Sequence, residues 1–381
     1  MSKRVHIPEL RFKEFSGEWE EKILKEVSKI NPKSDKLPSS FIYIDLESVE
    51  KGILVKEDII YSKSAPSRAQ RLLKKDDILF QMVRPYQRNN YFFNLNGDYV
   101  ASTGYAQVRT EEISKFLYYY LHTDNFVNIV NAKCTGTSYP AINSTDLSNI
   151  KINLPKKSEQ QKIASFLTTI DTKIEQLTKK VELQEQYKKG VMQKIFNQEI
   201  RFKNDDGSEF PEWEEKRLKD TCEIKKGQQL NRNTLTNDSK YPVINGGVEP
   251  SGYTDNFNTN ENTITISEGG NSCGFVNFIK TKFWSGGHCY ILQPILIIDI
   301  NFLYQLLKYN ELKIMKLRVG SGLPNIQKKD IENFKINLPS PPEQTKIANF
   351  FSTLDKQIGS TKKQLAKTKE FKKGLLQRMF V

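Results

Sequence analysis

Histidine and cysteine are scarce: three of one and four of the other in 381 residues. Cys134, Cys222, Cys273 and Cys289 show no CxxC spacing, and only His288-Cys289 sets the two residue types side by side. That excludes a zinc ribbon and a disulfide framework, and the cysteines read as reduced thiols. No glycine loop ends in a Walker lysine. The Pro-Pro pair, Pro341-Pro342, precedes Glu343 at a helix start rather than the Tyr of an adenine-methylating loop. The stretch Glu268-Gly269-Gly270-Asn271-Ser272-Cys273-Gly274 lacks the strand, helix and distal acid of a cofactor fingerprint and reads as a hairpin turn. His6, His122 and His288 have no evident acid-base partner. No catalytic residue, metal site or cofactor is expected in the chain itself. Long apolar runs are missing too: the best, residues 290–307, is broken by Pro294, Asp299 and Asn301, and the N-terminus has no apolar signal core. The expectation is a cytoplasmic protein that does not engage a membrane.

Acid is scarcer than base. Against 58 Lys and Arg stand 45 Asp and Glu, a formal net charge of +13, which invites a polyanionic partner. Residues 156–196 hold nine Lys and five acids, and residues 343–381 nine Lys and Arg and three acids. Most of the excess thus sits on two stretches, where a solvated helix face is the plain alternative to nucleic-acid contact.

Those stretches are one segment written twice. At a constant offset of 184, Ile152-Asn153-Leu154-Pro155 falls on Ile336-Asn337-Leu338-Pro339, Glu159-Gln160 on Glu343-Gln344, Asp171 on Asp355 and Lys188-Lys189-Gly190 on Lys372-Lys373-Gly374. Apolar residues recur at steps of four and three: Ile163, Leu167, Ile170, Ile174, Leu177 and Val181, then Ile347, Phe351, Leu354, Ile358 and Leu365. This is the seam of two long helices that pair. At about 36 residues each would span roughly 54 Å. A helix-interior Gly costs about 1 kcal/mol relative to Ala, so Gly190 and Gly374 predict close helix packing. Ser158 and Gln161 are set to cap the first helix.

A second repeat precedes each helix. Pro8-Glu9-Leu10-Arg11-Phe12-Lys13 resembles Gln198-Glu199-Ile200-Arg201-Phe202-Lys203, and Glu18-Trp19-Glu20-Glu21-Lys22 recurs as Glu212-Trp213-Glu214-Glu215-Lys216. The chain is two tandem units, each a head followed by a long helix: residues 1–150 the first head with its arm, 151–200 a helical spacer, 201–335 the second head, 336–381 the second spacer. Because the Arg-Phe-Lys segment directly follows the first helix, the arm at Leu10-Arg11-Phe12 is predicted to dock beside Phe380. Short strand-like runs separated by Gly, Asn and Asp, with helices at 113–132 and 301–318, make each head mixed α/β. The heads show no convincing alignment over 31–132 and 228–316, as expected of modules with one job and different targets.

Recognition chemistry gathers in the heads. Arg84, Tyr86, Gln87, Arg88 and Asn89 follow a predicted strand and combine forked donors, amides and an aromatic; Arg suits guanine, and Asn or Gln suits adenine. Thr137, Ser138 and Ser321 lie in two matched loops, Thr135-Gly136-Thr137-Ser138-Tyr139-Pro140 and Val319-Gly320-Ser321-Gly322-Leu323-Pro324, whose amides can approach phosphates or bases. In the second head Lys226, Gln228, Asn231, Arg232, Asn245, Lys280 and Lys282 offer similar groups.

With the Arg-Phe-Lys and Glu-Trp openings, the two glycine loops and the Ile-Asn-Leu-Pro...Glu-Gln entries into both helices, the whole chain resembles the specificity subunits of type I restriction-modification enzymes. The resemblance implies two target recognition domains, helices paired as an antiparallel coiled coil, and a bipartite, asymmetric double-stranded DNA target. It further implies a subunit that is not itself an enzyme. Two methyltransferase subunits would bind S-adenosylmethionine, and nuclease-translocase subunits would use ATP and Mg. The alternative is a coiled-coil adaptor between proteins without sequence-specific DNA binding.

Overall fold

The repeated Glu-Glu-Lys and Lys-Ile-Asn-Leu segments find each other first. Glu20–Ile23 pairs antiparallel with Lys151–Leu154, and Glu214–Arg217 with Lys335–Leu338, in the same register. Each pairing fastens the entry of a head to the strand that launches its long helix. The computed structural model describes residues 6–34, 36–320, 322 and 324–381. It forms two compact units, Met1–Thr178 with Lys363–Val381, and Lys179–Lys362.

In the first unit one antiparallel sheet runs in the order Ser28–Ile30, Tyr105–Thr110, Ile78–Gln81, Tyr91–Phe92. A second runs Ile59–Tyr61, Ser40–Ile44, Tyr99–Ser102, Ala69–Leu72, its middle pair parallel. The second unit repeats the first sheet as Cys222–Lys226, Cys289–Pro294, Thr263–Ser267, Val276–Ile279. It keeps a smaller second sheet, again with a parallel pair, Tyr241–Ile244 beside Trp284–Ser285. Heads that could not be aligned by sequence thus share a topology.

The helix expected over 113–132 is two helices, Ser114–Tyr120 and Asp124–Ala132. The Thr123 hydroxyl accepts from the Phe126 amide at 3.3 Å and caps the second, satisfying an amide that would otherwise be orphaned at a helix start. Residues 301–318 divide likewise into Ile300–Tyr309 and Glu311–Met315 at Asn310. Asp299 caps the first of these, accepting from the Asn301 and Phe302 amides at 2.8 and 3.1 Å.

The long helices are Lys157–Phe196 and Pro341–Arg378. In the second unit Lys362 reaches Glu185 at 2.6 Å and Lys188 reaches Asp355 at 2.7 Å, so partner numbers fall as the helix numbers rise and the pairing is antiparallel. In the first unit Lys372 holds Asp171 at 2.5 Å. The seam residues are buried or half-buried, and their leading members do more than pair helices. Ile163, Leu167 and Ile170 belong to the core of the first head, and Ile347 and Phe351 to that of the second.

Two expectations for the helices need correction. Among the described residues nothing beyond the local helix backbone lies within 4 Å of a Cβ built on Gly190 or Gly374, so close packing does not explain them. Ser158 lies inside the first turn, and Gln161 donates to Ser165 at 3.1 Å instead of forming a cap.

The arm docks where the repeat places it. The Leu10 amide donates to the Arg378 carbonyl at 2.7 Å, the counterpart of Ile200 to Lys194 at 3.3 Å. Arg11 clasps the buried Glu159 through Nε and Nη2, both at 2.7 Å; Arg201 clasps Glu343 at 3.3 and 2.9 Å. Phe12 meets Phe166 edge-on at 5.6 Å and Phe202 meets Phe350 at 5.8 Å. Gln160 and Gln344 each donate to the preceding Pro carbonyl at 2.9 Å, and each accepts an amide from its head, Ile113 or Asp299. The Glu-Gln of the duplicated segment is therefore a hub joining arm, head and helix.

Candidate nucleic-acid interface

The strand Ile78–Gln81 leads into a tight hairpin whose tip is the 3-10 turn Pro85–Gln87. The glycine loop closes on it. Thr135 and Ala141 exchange backbone hydrogen bonds at 2.9 and 3.0 Å, the Ile142 amide donates to Met82 at 3.1 Å, and the Arg84 amide donates to Pro140 at 2.7 Å. In the second head Val319 and Asn325 make the same exchange at 2.8 and 3.0 Å, Ile326 donates to Glu268 at 2.8 Å, and Gly270 to Pro324 at 3.0 Å. Strand pairing keeps step as well, Ile78 with Phe92 and Ile264 with Phe278. From Ile78 to Phe92 the first hairpin therefore matches the second at an offset of 186 without a gap, although little beyond Ile78 and Phe92 is identical.

At the first tip Tyr86 is 51% and Tyr139 65% exposed. The Arg84 guanidinium lies 4.2 Å from the Tyr139 ring centre, a cation–π contact, and its Nη2 donates weakly to the Ser138 carbonyl at 3.4 Å. Thr137 and Ser138 are exposed beside it. The remaining sequence candidates here hold the turn together. Gln87 accepts from Gln81 at 2.9 Å, and the Asn89 side chain bridges Val49 and Gly52. Arg88 donates to the His122 carbonyl at 3.1 Å and pairs with Asp124.

In the second head the candidates separate into two groups. Lys226 donates to Glu268 at 2.5 Å, and Asn245 accepts the His288 amide at 3.2 Å. Gln228 is tied through its backbone, accepting from Trp284 Nε1 at 2.8 Å. Asn231 caps the turn Arg232–Thr234, leaving the Arg232 side chain exposed. Apart from these, Lys282 lies 4.5 Å over the Phe257 ring and, with Lys240, Tyr241 and Tyr253, lines a recess of ≈660 Å³; Lys280 is exposed. Ser321 lies outside the described residues.

One cluster escaped the sequence reading. Glu268, 5% exposed, accepts from Lys226, from the Tyr290 hydroxyl at 3.1 Å and from His288 Nδ1 at 3.2 Å. Burial alone would raise its carboxyl, but these donors outweigh it and hold it below the usual carboxylate range. The same burial, with the nearby carboxylate, pushes the Tyr290 phenol up. Beside it Gly246 sits at φ +85°, where a Cβ would meet the His288 carbonyl at 2.4 Å. Close packing thus explains why glycine stands there. Lys226 and Glu268 are 42 residues apart, and Glu268 is 20 from His288, which lies two before Tyr290; strand pairing assembles the three segments.

A two-headed chain with duplicated strut helices and paired turn-and-loop tips defines a class of tandem modules. A family profile described as "Type I restriction modification DNA specificity domain" matches residues 16–185 and 211–370, and the chain belongs to that family. It is 39% identical over 150 residues to a Mycoplasma pneumoniae protein named as a type I specificity subunit, covering 38% of this chain and 40% of that one. The first relatives are thus matched over about two fifths of their length. The MjaIX specificity subunit of Methanocaldococcus jannaschii is 24% identical over 349 residues, covering 84% of this chain and 80% of its own. The crystal structure of a type I restriction-modification S subunit from M. genitalium has the same fold, with TM-score 0.69, 20% identity and coverage of 98% and 99%. Among the described residues no helix is long and apolar enough to cross a membrane.

Proposed function

We propose that the chain is the DNA sequence-recognition subunit of a type I restriction-modification complex in the cytoplasm, each head reading one part of a bipartite, asymmetric target. The observation that carries this is the pair of tips: one backbone device, built twice, with different side chains. Arg84 and Tyr86 stand where the second head has Gly270 and Ser272. A duplicated frame with divergent tips suits two half-sites of unlike sequence. Family membership supports the same reading. In it the chain performs no chemistry; two methyltransferase subunits with S-adenosylmethionine, and translocase subunits with ATP and Mg, act where the heads place them.

Methylome sequencing of cells carrying the complete complex, with and without this chain, tests the proposal. An adenine-methylated split motif should appear with the chain and change when another specificity chain replaces it. A motif indifferent to the exchange, or a chain whose DNA binding is absent or insensitive to salt, would favour the adaptor instead, since phosphate contacts impose a steep salt dependence.

A further inference from the structure

Two arginines of the first hairpin occupy left-handed backbone, Arg84 and Arg88, both at φ 54°. Left-handed residues other than Gly are uncommon, and long side chains are disfavoured there. At the offset of 186 their counterparts are Gly270 and Gly274, at φ +74° and +85°. The backbone device therefore calls for left-handed residues at both places, and the second head meets that demand with glycine.

What each arginine does with the unfavourable position differs. Arg88 is used by the fold, joining the turn to the helix Asp124–Ala132 through Asp124 and the His122 carbonyl. Arg84 has no such role. Among the described residues its side chain makes one long hydrogen bond, to Ser138, and lies over the Tyr139 ring, itself mostly exposed. Stacking on a phenol ring fixes the plane of the guanidinium while leaving Nη donors at the tip. Strain retained without a structural return concentrates at functional sites.

We propose that Arg84, oriented by Tyr139, is a specificity-determining residue of the first head and reads a guanine through its two major-groove acceptors. This rests on the DNA-recognition function proposed above. A planar fork matched to two adjacent acceptors is the arrangement that guanine O6 and N7 offer. A phosphate would also accept from this fork, but without regard to base identity.

The test compares Arg84→Gly and Arg84→Lys with the wild type, each full-length and in its methyltransferase complex. Competition binding uses duplexes that vary every base pair of the wild-type motif one at a time. Glycine suits the left-handed backbone, so Arg84→Gly should unfold within about 2 °C of the wild type, which separates loss of reading from loss of fold. Arg84→Gly should lose a preference of roughly 5- to 150-fold for one G·C pair in one half-site, and Arg84→Lys, which lacks the planar fork, should keep only part of that preference, with the other half-site unchanged in both. A uniform loss across all sequences in Arg84→Gly, restored in Arg84→Lys, would mean a phosphate contact and overturn the proposal; so would an unchanged profile in both. If the wild-type complex shows no sequence preference, it is the underlying function that fails.

Discussion

Arg201 and Glu343 form a two-pronged ion pair, with Nε and Nη2 on the two carboxylate oxygens at 3.3 and 2.9 Å, and Trp213 Nε1 adds a third donor at 3.1 Å. Glu343 is fully buried. Removing one partner of such a pair strands a charge without solvent, which costs about 3–5 kcal/mol. Arg201→Ala should therefore lower stability by about that amount in denaturant unfolding. Lys188→Ala removes an ion pair of which the Asp355 carboxylate is 40% exposed and should cost less than about 1 kcal/mol. Equal losses would show that the arm hub is not the stronger fastening.

His122 supplies a pH dependence. Its Nδ1 donates to the Tyr118 carbonyl at 2.7 Å, and burial, reinforced by the charges of Lys372 and Arg88, pushes the imidazole down to about 4. Between about pH 6.5 and that value the unfolded chain binds a proton that the folded chain refuses. Its contribution to stability is thus complete above about pH 6.5, falls as the pH drops, and levels out below about 4. Full expression of the shift would amount to about 3 kcal/mol. Comparing wild type with His122→Asn by thermal unfolding across pH should show the steeper acid decline in the wild type. Parallel curves would rule it out.

Gly190 and Gly374 sit in helix interiors with open space around them. Alanine at either should add about 0.5–1 kcal/mol through helix propensity alone. Chemical denaturation of Gly190→Ala with Gly374→Ala checks this, and a double variant less stable than the wild type would restore the packing explanation.

The duplication was fully legible because its residues make hub contacts that few other types can make: the Arg-Phe-Lys arm, the Glu-Gln pair, the proline before each helix. Docking of Leu10 on Arg378 followed from those repeats. The matched hairpins were not legible. A β ladder is satisfied by many apolar residues on alternate positions, and left-handed backbone accepted Arg in one head and Gly in the other. Nor could composition separate Arg84 from Arg88, since only the fold brings Asp124 to one of them. The expected single helices failed at Thr123, whose hydroxyl captures the Phe126 amide and starts a new helix, and at Asn310, whose side chain donates back to the Leu306 carbonyl and closes the helix before it.

The two seams of the repeat predict a tolerated rearrangement. Lys194 to Ile200 is continuous chain, whereas Arg378 to Leu10 is bridged by a hydrogen bond and by the Arg378–Glu9 ion pair at 2.8 Å. Asn197 and Gln198 correspond in the repeat to Val381 and Pro8. A permutant that starts at Gln198 and joins Val381 to Pro8 through one or two glycines should fold, with an unfolding midpoint within about 5 °C of the parent. Insolubility of that permutant, with the parent soluble under the same conditions, would show that one seam is not equivalent to the other.

Helix length offers a test of how the half-sites are spaced. Seven residues inserted into the first helix alone, between Leu177 and Gln184, would shift Lys188 away from Asp355 by about 10 Å and put the seam out of register. A matching heptad near Thr361 of the second helix restores it, because Thr361 is the seam counterpart of Leu177 at the offset of 184. The doubly extended chain should therefore fold and keep both half-sites, while its methylated motif gains unread bases between them. The singly extended chain should lose stability. Methylome sequencing of the double variant decides the matter: altered half-sites with an unchanged gap would mean that the helices do not set the spacing.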